Sequence, residues 1–139
     1  MEHLTYRQNE QLFRECLRIL KPGATLRIIV PDVSLFIINY ANGNKEWFKK
    51  WEDIMMVRSE DPERAKRRIA TPMEAISFVT QEFLHVACWD FDTMKHYLEK
   101  NGFRDVKKTT HREGRQQNLL LDSDDEGRKY VSLYLEATK

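Results

Sequence analysis

Cysteine, proline and glycine are all scarce in this chain: two, four and five in 139 residues. Cys16 and Cys88 stand alone without a CxxC pair, which excludes a disulfide scaffold and a zinc-ribbon spacing and favours a reduced, cytoplasmic setting. The glycines do not cluster, so Gly23, Gly43, Gly102, Gly114 and Gly127 supply no glycine-rich, phosphate-cradling turn. No signal peptide is evident, and no apolar run approaches the roughly 18 residues that suggest a membrane span. An excess of charge of one sign is missing too. Lys and Arg number 23 against 22 for Asp and Glu, a net charge of +1, so no global field favours nucleic acid or an anionic membrane surface.

What is present is the balance of one globular domain spanning 1–139, with 41% hydrophobic and 32% charged residues. Leu12, Phe13, Cys16, Leu17 and Leu20 recur at spacings of three and four, which predicts a helix from about Tyr6 to Leu20 with Thr5 as its N-cap. Pro22 and Gly23 stop it. Thr25 to Val30 is rich in β-branched residues and apolar on both faces except at Arg27, which suits an inner strand of a parallel sheet.

A helical insertion follows over about 33–90. Asp32 caps a short helix through Val33, Leu35, Phe36, Ile37 and Tyr40, ended by Asn42-Gly43. Asn44 caps the next, whose stripe carries Trp47, Phe48, Trp51, Ile54 and Met55. Asp61-Pro62 and Thr71-Pro72-Met73-Glu74 mark two further helix starts, the second with a capping-box glutamate. Asp92 is expected to cap a helix holding Met94, Tyr97 and Leu98 that stops at Asn101-Gly102, before a strand from Val106 to Thr110. Asp122 to Gly127 reads as an acidic loop. Tyr130 to Thr138 then alternates with period two, the pattern of a terminal strand with one buried face.

Arg18-Ile19-Leu20-Lys21-Pro22-Gly23-Ala24-Thr25-Leu26-Arg27-Ile28, then Pro31-Asp32, with Glu2-His3-Leu4 before them and Asn101-Gly102-Phe103 and Ser132-Leu133-Tyr134-Leu135-Glu136-Ala137 after, resembles the C-terminal half of the class I S-adenosylmethionine-dependent methyltransferase superfamily. Ala24 stands where that family has a second glycine. The resemblance implies the later half of a Rossmann-like α/β sheet. Its three strands would be Thr25 to Val30, Val106 to Thr110 and Tyr130 to Thr138, the last lying between the other two and antiparallel to the first. It also implies methyl transfer to an unidentified acceptor. The family's glycine-rich turn, and the acidic residue roughly twenty positions beyond it, have no counterpart here. The expectation is therefore a truncated methyltransferase, inactive alone, whose cofactor S-adenosylmethionine is held largely by a missing half.

By the same resemblance, Glu2 and His3 would lie beside the cofactor, while Asp32, Trp47, Trp51 and His85 would face the acceptor. Each has a plainer reading. Glu2 and His3 sit in a terminal segment that fails to order without its strand, Asp32 is a helix cap, and the Trp47 and Trp51 stripe is core. His85 lies three residues before Cys88, but without a further His/Cys cluster it reads as a packed histidine, so no metal site is expected. No catalytic group is identified. The run Arg58, Arg64, Lys66, Arg67 and Arg68 is interleaved with Glu60, Asp61 and Glu63, a solvated helix face rather than a phosphate-binding surface.

A lone apolar strand such as Thr25 to Val30 leaves an open edge that templates pairing, either in a homo-oligomer or with a complementing chain. The alternative function is a non-catalytic remnant that serves as an interaction or dimerisation module.

Overall fold

The computed structural model describes residues 1–57 and 69–139. The helix start at Asp61-Pro62 and the basic run from Arg58 to Arg68 lie outside the described residues. The chain is mixed α/β, with a three-stranded sheet flanked by helices.

Helix α1 spans Tyr6–Ile19. Thr5 closes a full capping box with Gln8: the Gln8 backbone N–H donates to Thr5 Oγ1 at 3.3 Å, and the Thr5 backbone N–H donates to Gln8 Oε1 at 2.8 Å. Phe13 is buried, but Leu12 is 38% exposed, a departure from the expected stripe. The polar Asn9 is buried in its place. Its amide donates to the carbonyls of Met1, Leu4 and Thr5 at 3.0–3.1 Å, which fastens the first residues to the helix. The Glu2 carbonyl also accepts the backbone N–H groups of Val86 and Ala87 at 2.8 and 3.1 Å. Glu2 and His3 are therefore placed, contrary to the expectation that this segment would not order.

Gly23, at φ +77°, releases the chain into strand β1, Thr25–Pro31. Helices α2 (Val33–Ala41) and α3 (Lys45–Val57) follow, started by Asp32 and by Asn44, whose Oδ1 accepts the Trp47 N–H at 3.2 Å. Helix α4 runs Pro72–Gln81 from the Thr71/Glu74 capping box. Helix α5, Phe91–Lys100, is capped by Asp90, not Asp92: the Thr93 N–H donates to Asp90 Oδ1 at 2.8 Å, and Asp92 sits in the first turn. Strand β2 is Arg104–Thr109, starting two residues before Val106, with a register shift next to Asp105 at φ +51°. The expected acidic loop is in part a helix, α6, Glu126–Val131, capped by Asp125. It also absorbs Tyr130 and Val131, so the last strand, β3, is Ser132–Thr138.

The strand order is β1-β3-β2, with β3 antiparallel to both neighbours. The sheet is thus antiparallel, and β1 is an outer strand rather than an inner strand of a parallel sheet. Among the described residues its second edge has no strand partner beyond a single bridge from Asp32 to Trp89. β3 is buried on both faces, because its central place in the sheet overrides the one-sided pattern of its sequence. One face presents Ile28, Val30, Leu133, Leu135 and Ala137 to Phe13, Met94 and Leu98 from α1 and α5. The helical insertion has its own core, in which Phe36, Phe48, Trp51, Ala75, Phe78 and Val79 interdigitate.

The other face of the sheet is charged. Register places Arg27 opposite Glu136 and Ile29 opposite Tyr134. Asp122, drawn in from the 110–125 segment, completes a buried network in which the Arg27, Asp122 and Glu136 side chains are 5%, 1% and 1% exposed. Asp122, the first residue of the expected acidic loop, lies outside any helix or strand but is buried.

Candidate functional site

Beyond the C-terminal end of β1, where Ile29, Val30 and Pro31 leave the sheet, lies a cavity of about 700 Å³. Its apolar wall comes from the helical insertion, through Trp51 and Met55 of α3 and Phe78 and Val79 of α4. The opposite side is closed by Ser132 and Tyr134 of β3, by Asp122 and Ser123, and by Arg128 of α6 at the rim. The remaining polar edge is Glu2, His3 and His85. A concave, largely apolar space with a few convergent polar groups is the usual form of a small-molecule site.

Four of the six expected site residues, Glu2, His3, Trp51 and His85, line this cavity. Their chain positions span more than half the sequence. The α1 anchor through Asn9 and the Val86 and Ala87 hydrogen bonds to Glu2 bring the first and third of those segments together. Asp32 and Trp47 stand elsewhere. Asp32 is buried as the α2 cap, accepting from Ser34 N at 3.2 Å and Ser34 Oγ at 2.5 Å, and pairs with Lys108 Nζ at 3.2 Å. Trp47 stacks on Tyr130 at 5.4 Å and meets Phe36 edge-on at 4.9 Å.

The polar edge is tightly knit. Glu2 Oε1 lies 3.6 Å from His3 Nε2, and Glu2 Oε2 lies 3.1 Å from the terminal ammonium. Burial alone would push the Glu2 carboxyl up, but its own backbone N–H, the ammonium and His3 together hold it below the usual range, so it is a carboxylate at neutral pH. The His3 and His85 rings meet edge-on with centroids 4.9 Å apart. His85 Nδ1 sits 2.7 Å from the Val79 carbonyl, which can only accept, so Nδ1 carries the hydrogen.

Burial, and then the charge of Asp122, raise the Tyr134 phenol, which stays protonated at neutral pH. Desolvation also pushes up both thiols, Cys16 and Cys88, away from the thiolate a nucleophile would need. The arrangement can bind an apolar or aromatic ligand against Trp51 and Phe78, accept hydrogen bonds through Glu2, and exchange protons at imidazole.

Tyr134, Ser123 and Arg128 are lining residues that sequence reasoning did not single out. The period-two pattern does put Tyr134 and Glu136 on one face of β3, and the Asp125 cap three residues before Arg128 was the available signal for α6. Among the described residues no helix is long and apolar enough to cross a membrane. Compared with protein families, curated proteins and solved structures, the chain matches none, so the site is interpreted from its own residues.

Proposed function

We propose that this chain is the acceptor-binding side of an S-adenosylmethionine-dependent methyltransferase of the class I type, and that the cavity beyond β1 receives the methyl acceptor. The observation that carries the reading is the place of that cavity: ligands of open α/β sheets bind beyond the carboxyl ends of the parallel strands, and the cavity lies beyond that end of β1, which runs parallel to β2 across β3. The order of elements supports it as well, from the Pro22-Gly23 stop through β1 and Asp32 to the Gly102-Phe103 junction and a last strand between the other two.

The residues present fit the cofactor at one edge only. Glu2 is an ionised carboxylate able to accept hydrogen bonds there, but the described residues include no glycine-rich turn for the cofactor's polar end. When bound, S-adenosylmethionine supplies a methyl group on a sulfonium, open to in-line displacement. The chain's own contribution is positioning: the Trp51 and Phe78 wall excludes water and orients an acceptor, and imidazole at His3 or His85 takes up the acceptor's proton. Among the described residues the unpaired edge of β1 is where a cofactor-gripping strand would pair in this reading. The unpaired thiols Cys16 and Cys88 suit a cytoplasmic protein.

Isothermal titration of S-adenosylmethionine into the purified chain, at concentrations that detect a dissociation constant near ~1 mM, tests the reading. Saturable one-site binding that weakens in Glu2→Gln is the expected result. The absence of heat at those concentrations removes the cofactor edge assigned to Glu2 and leaves a half-fold that needs a partner or has no catalysis to perform, as in the second reading, an association module without cofactor affinity. That second reading draws on α2, where Ile37, Ile38 and Tyr40 are 56%, 54% and 47% exposed, and on the unpaired β1 edge. It predicts a concentration-dependent dimer in sedimentation, broken by Ile37→Asp.

A further inference from the structure

Two imidazoles and a carboxylate from segments more than eighty positions apart converge at the polar edge of the cavity, where each offers one donor atom and all three atoms lie within 4.8 Å of one another. We propose that Glu2, His3 and His85 form a binding site for a divalent transition-metal ion of the zinc class.

The geometry is close to what such an ion requires. Ligands bound at about 2.0–2.1 Å in a tetrahedron stand roughly 3.3 Å from one another. Glu2 Oε1 and His3 Nε2 are already 3.6 Å apart, and His3, half exposed, has the freedom to close the remaining gap toward His85. His85 is oriented as metal-binding histidines usually are. Its Nδ1–H is spent on the Val79 carbonyl at 2.7 Å, which fixes the tautomer and leaves the lone pair on Nε2.

The donor set also discriminates among ions. Two nitrogens and one oxygen suit zinc and its first-row neighbours, whereas magnesium and calcium prefer oxygen alone. Three protein ligands leave a coordination position open, the pattern of catalytic rather than structural zinc sites. Because all three residues line the cavity, that open position faces the space where a ligand would sit, and a ligand offering an oxygen or nitrogen atom fits it. A simple Glu2–His3 ion pair would account for two of the three residues but not for the convergence of His85. The site shares Glu2, His3 and His85 with the methyl-transfer reading, and a bound ion would take the imidazole lone pairs that the reading uses for a proton; the Zn²⁺ probe separates the two, since the metal site stands whether or not S-adenosylmethionine binds.

Calorimetric titration of Zn²⁺ into the chelator-treated chain is the test. The expected result is one site with a dissociation constant of about 1 μM or tighter. His3→Ala and His85→Asn should each weaken it by more than about tenfold, and His96→Gln, on α5, should leave it unchanged. Asparagine at position 85 keeps a donor for the Val79 carbonyl while removing the ligand nitrogen. Should that variant fail to fold by circular dichroism, the half-exposed His3 still decides the matter. No saturable binding up to ~1 mM Zn²⁺ overturns the proposal. So does binding that a folded His85→Asn leaves intact, which would assign the ion to the terminal amine and His3 instead.

Discussion

The guanidinium of Arg27 and the carboxylate of Asp122 face each other in a two-pronged pair, Nη2 to Oδ2 at 2.6 Å and Nε to Oδ1 at 3.1 Å, although 95 positions separate them. The remaining donors of Arg27 reach the Glu113 carbonyl at 2.8 Å and Thr109 Oγ1, the Thr110 carbonyl at 3.1 Å each, with Glu136 Oε1 at 3.4 Å. Asp122 and Glu136 are each also met by a backbone N–H, from Arg112 at 2.7 Å and Arg115 at 2.9 Å. One cation is therefore shared by two buried carboxylates, each of which also accepts a backbone N–H, and it pins the 110–122 segment over the sheet, closing one side of the cavity.

Replacing Arg27 by methionine keeps much of its volume but leaves both carboxylates buried without their cation. Breaking such a network from one side costs about 3–5 kcal/mol. Urea denaturation of Arg27→Met should show a loss of that order, and a loss below about 1 kcal/mol would mean that water reaches the network freely.

Acid should act on the same pair. The hydrogen bond from Arg27 holds the Asp122 carboxyl below the usual carboxylate range, with burial opposing and the Arg112 N–H assisting. A carboxyl depressed in the folded state contributes stability that is complete above its unfolded pKa and disappears as pH falls through the folded value. The wild-type melting temperature should thus fall between about pH 4 and pH 2 more steeply than that of Asp122→Asn, while the variant is the less stable protein at pH 7.

Gly114 lies against the Glu136 carboxylate, and a Cβ built on it would collide with Oε1 and crowd Leu120. Because Glu136 is held by Arg27 and the Arg115 N–H, it cannot swing aside cheaply. Gly114→Ala should lower stability by about 1–3 kcal/mol in thermal unfolding. Gly23→Ala should cost about 1–2 kcal/mol for a different reason, its φ of +77°, since nothing lies within 4 Å of the added carbon.

The α5 cap separates two neighbouring aspartates. Asp90→Ala removes the acceptor for the Thr93 N–H and should cost about 1 kcal/mol. Asp92→Ala removes only a charge from the first turn, worth about 0.3–1 kcal/mol and screened by salt. Chemical denaturation at low and high salt distinguishes them: the Asp92 effect should largely vanish as salt rises, whereas the part of the Asp90 effect that comes from its hydrogen bond should remain.

Local chemistry made much of this fold legible. The Thr5, Asp32 and Thr71 caps, the Pro22-Gly23 stop and the Asn42-Gly43 and Asn101-Gly102 exits need only neighbours a few positions away, and each occupies its expected place. Burial that depends on a distant partner was not legible. Asp122 looks solvated until Arg27 is set across from it, and Glu136 looks exposed until β3 is known to be central. The cavity divides in the same way. Glu2, His3, Trp51 and His85 can each be named from sequence, but the contact between His3 and His85, 82 positions apart, arises only from Asn9 and the Glu2 carbonyl holding the first turn against residues 86 and 87.

The two separate cores carry a thermodynamic consequence. The sheet core and the insertion core are each consolidated by their own side chains, and the cavity lies on the seam between them. Opening of α3 and α4 away from the sheet exposes the cavity walls and breaks the Trp47–Tyr130 stack but leaves the sheet core intact, so it is a lower-energy excursion than global unfolding. Whatever fills the cavity bonds the two bodies together. Its affinity is therefore written into the amide hydrogen-exchange rates of the insertion helices, which slow with occupancy even at positions the ligand never touches.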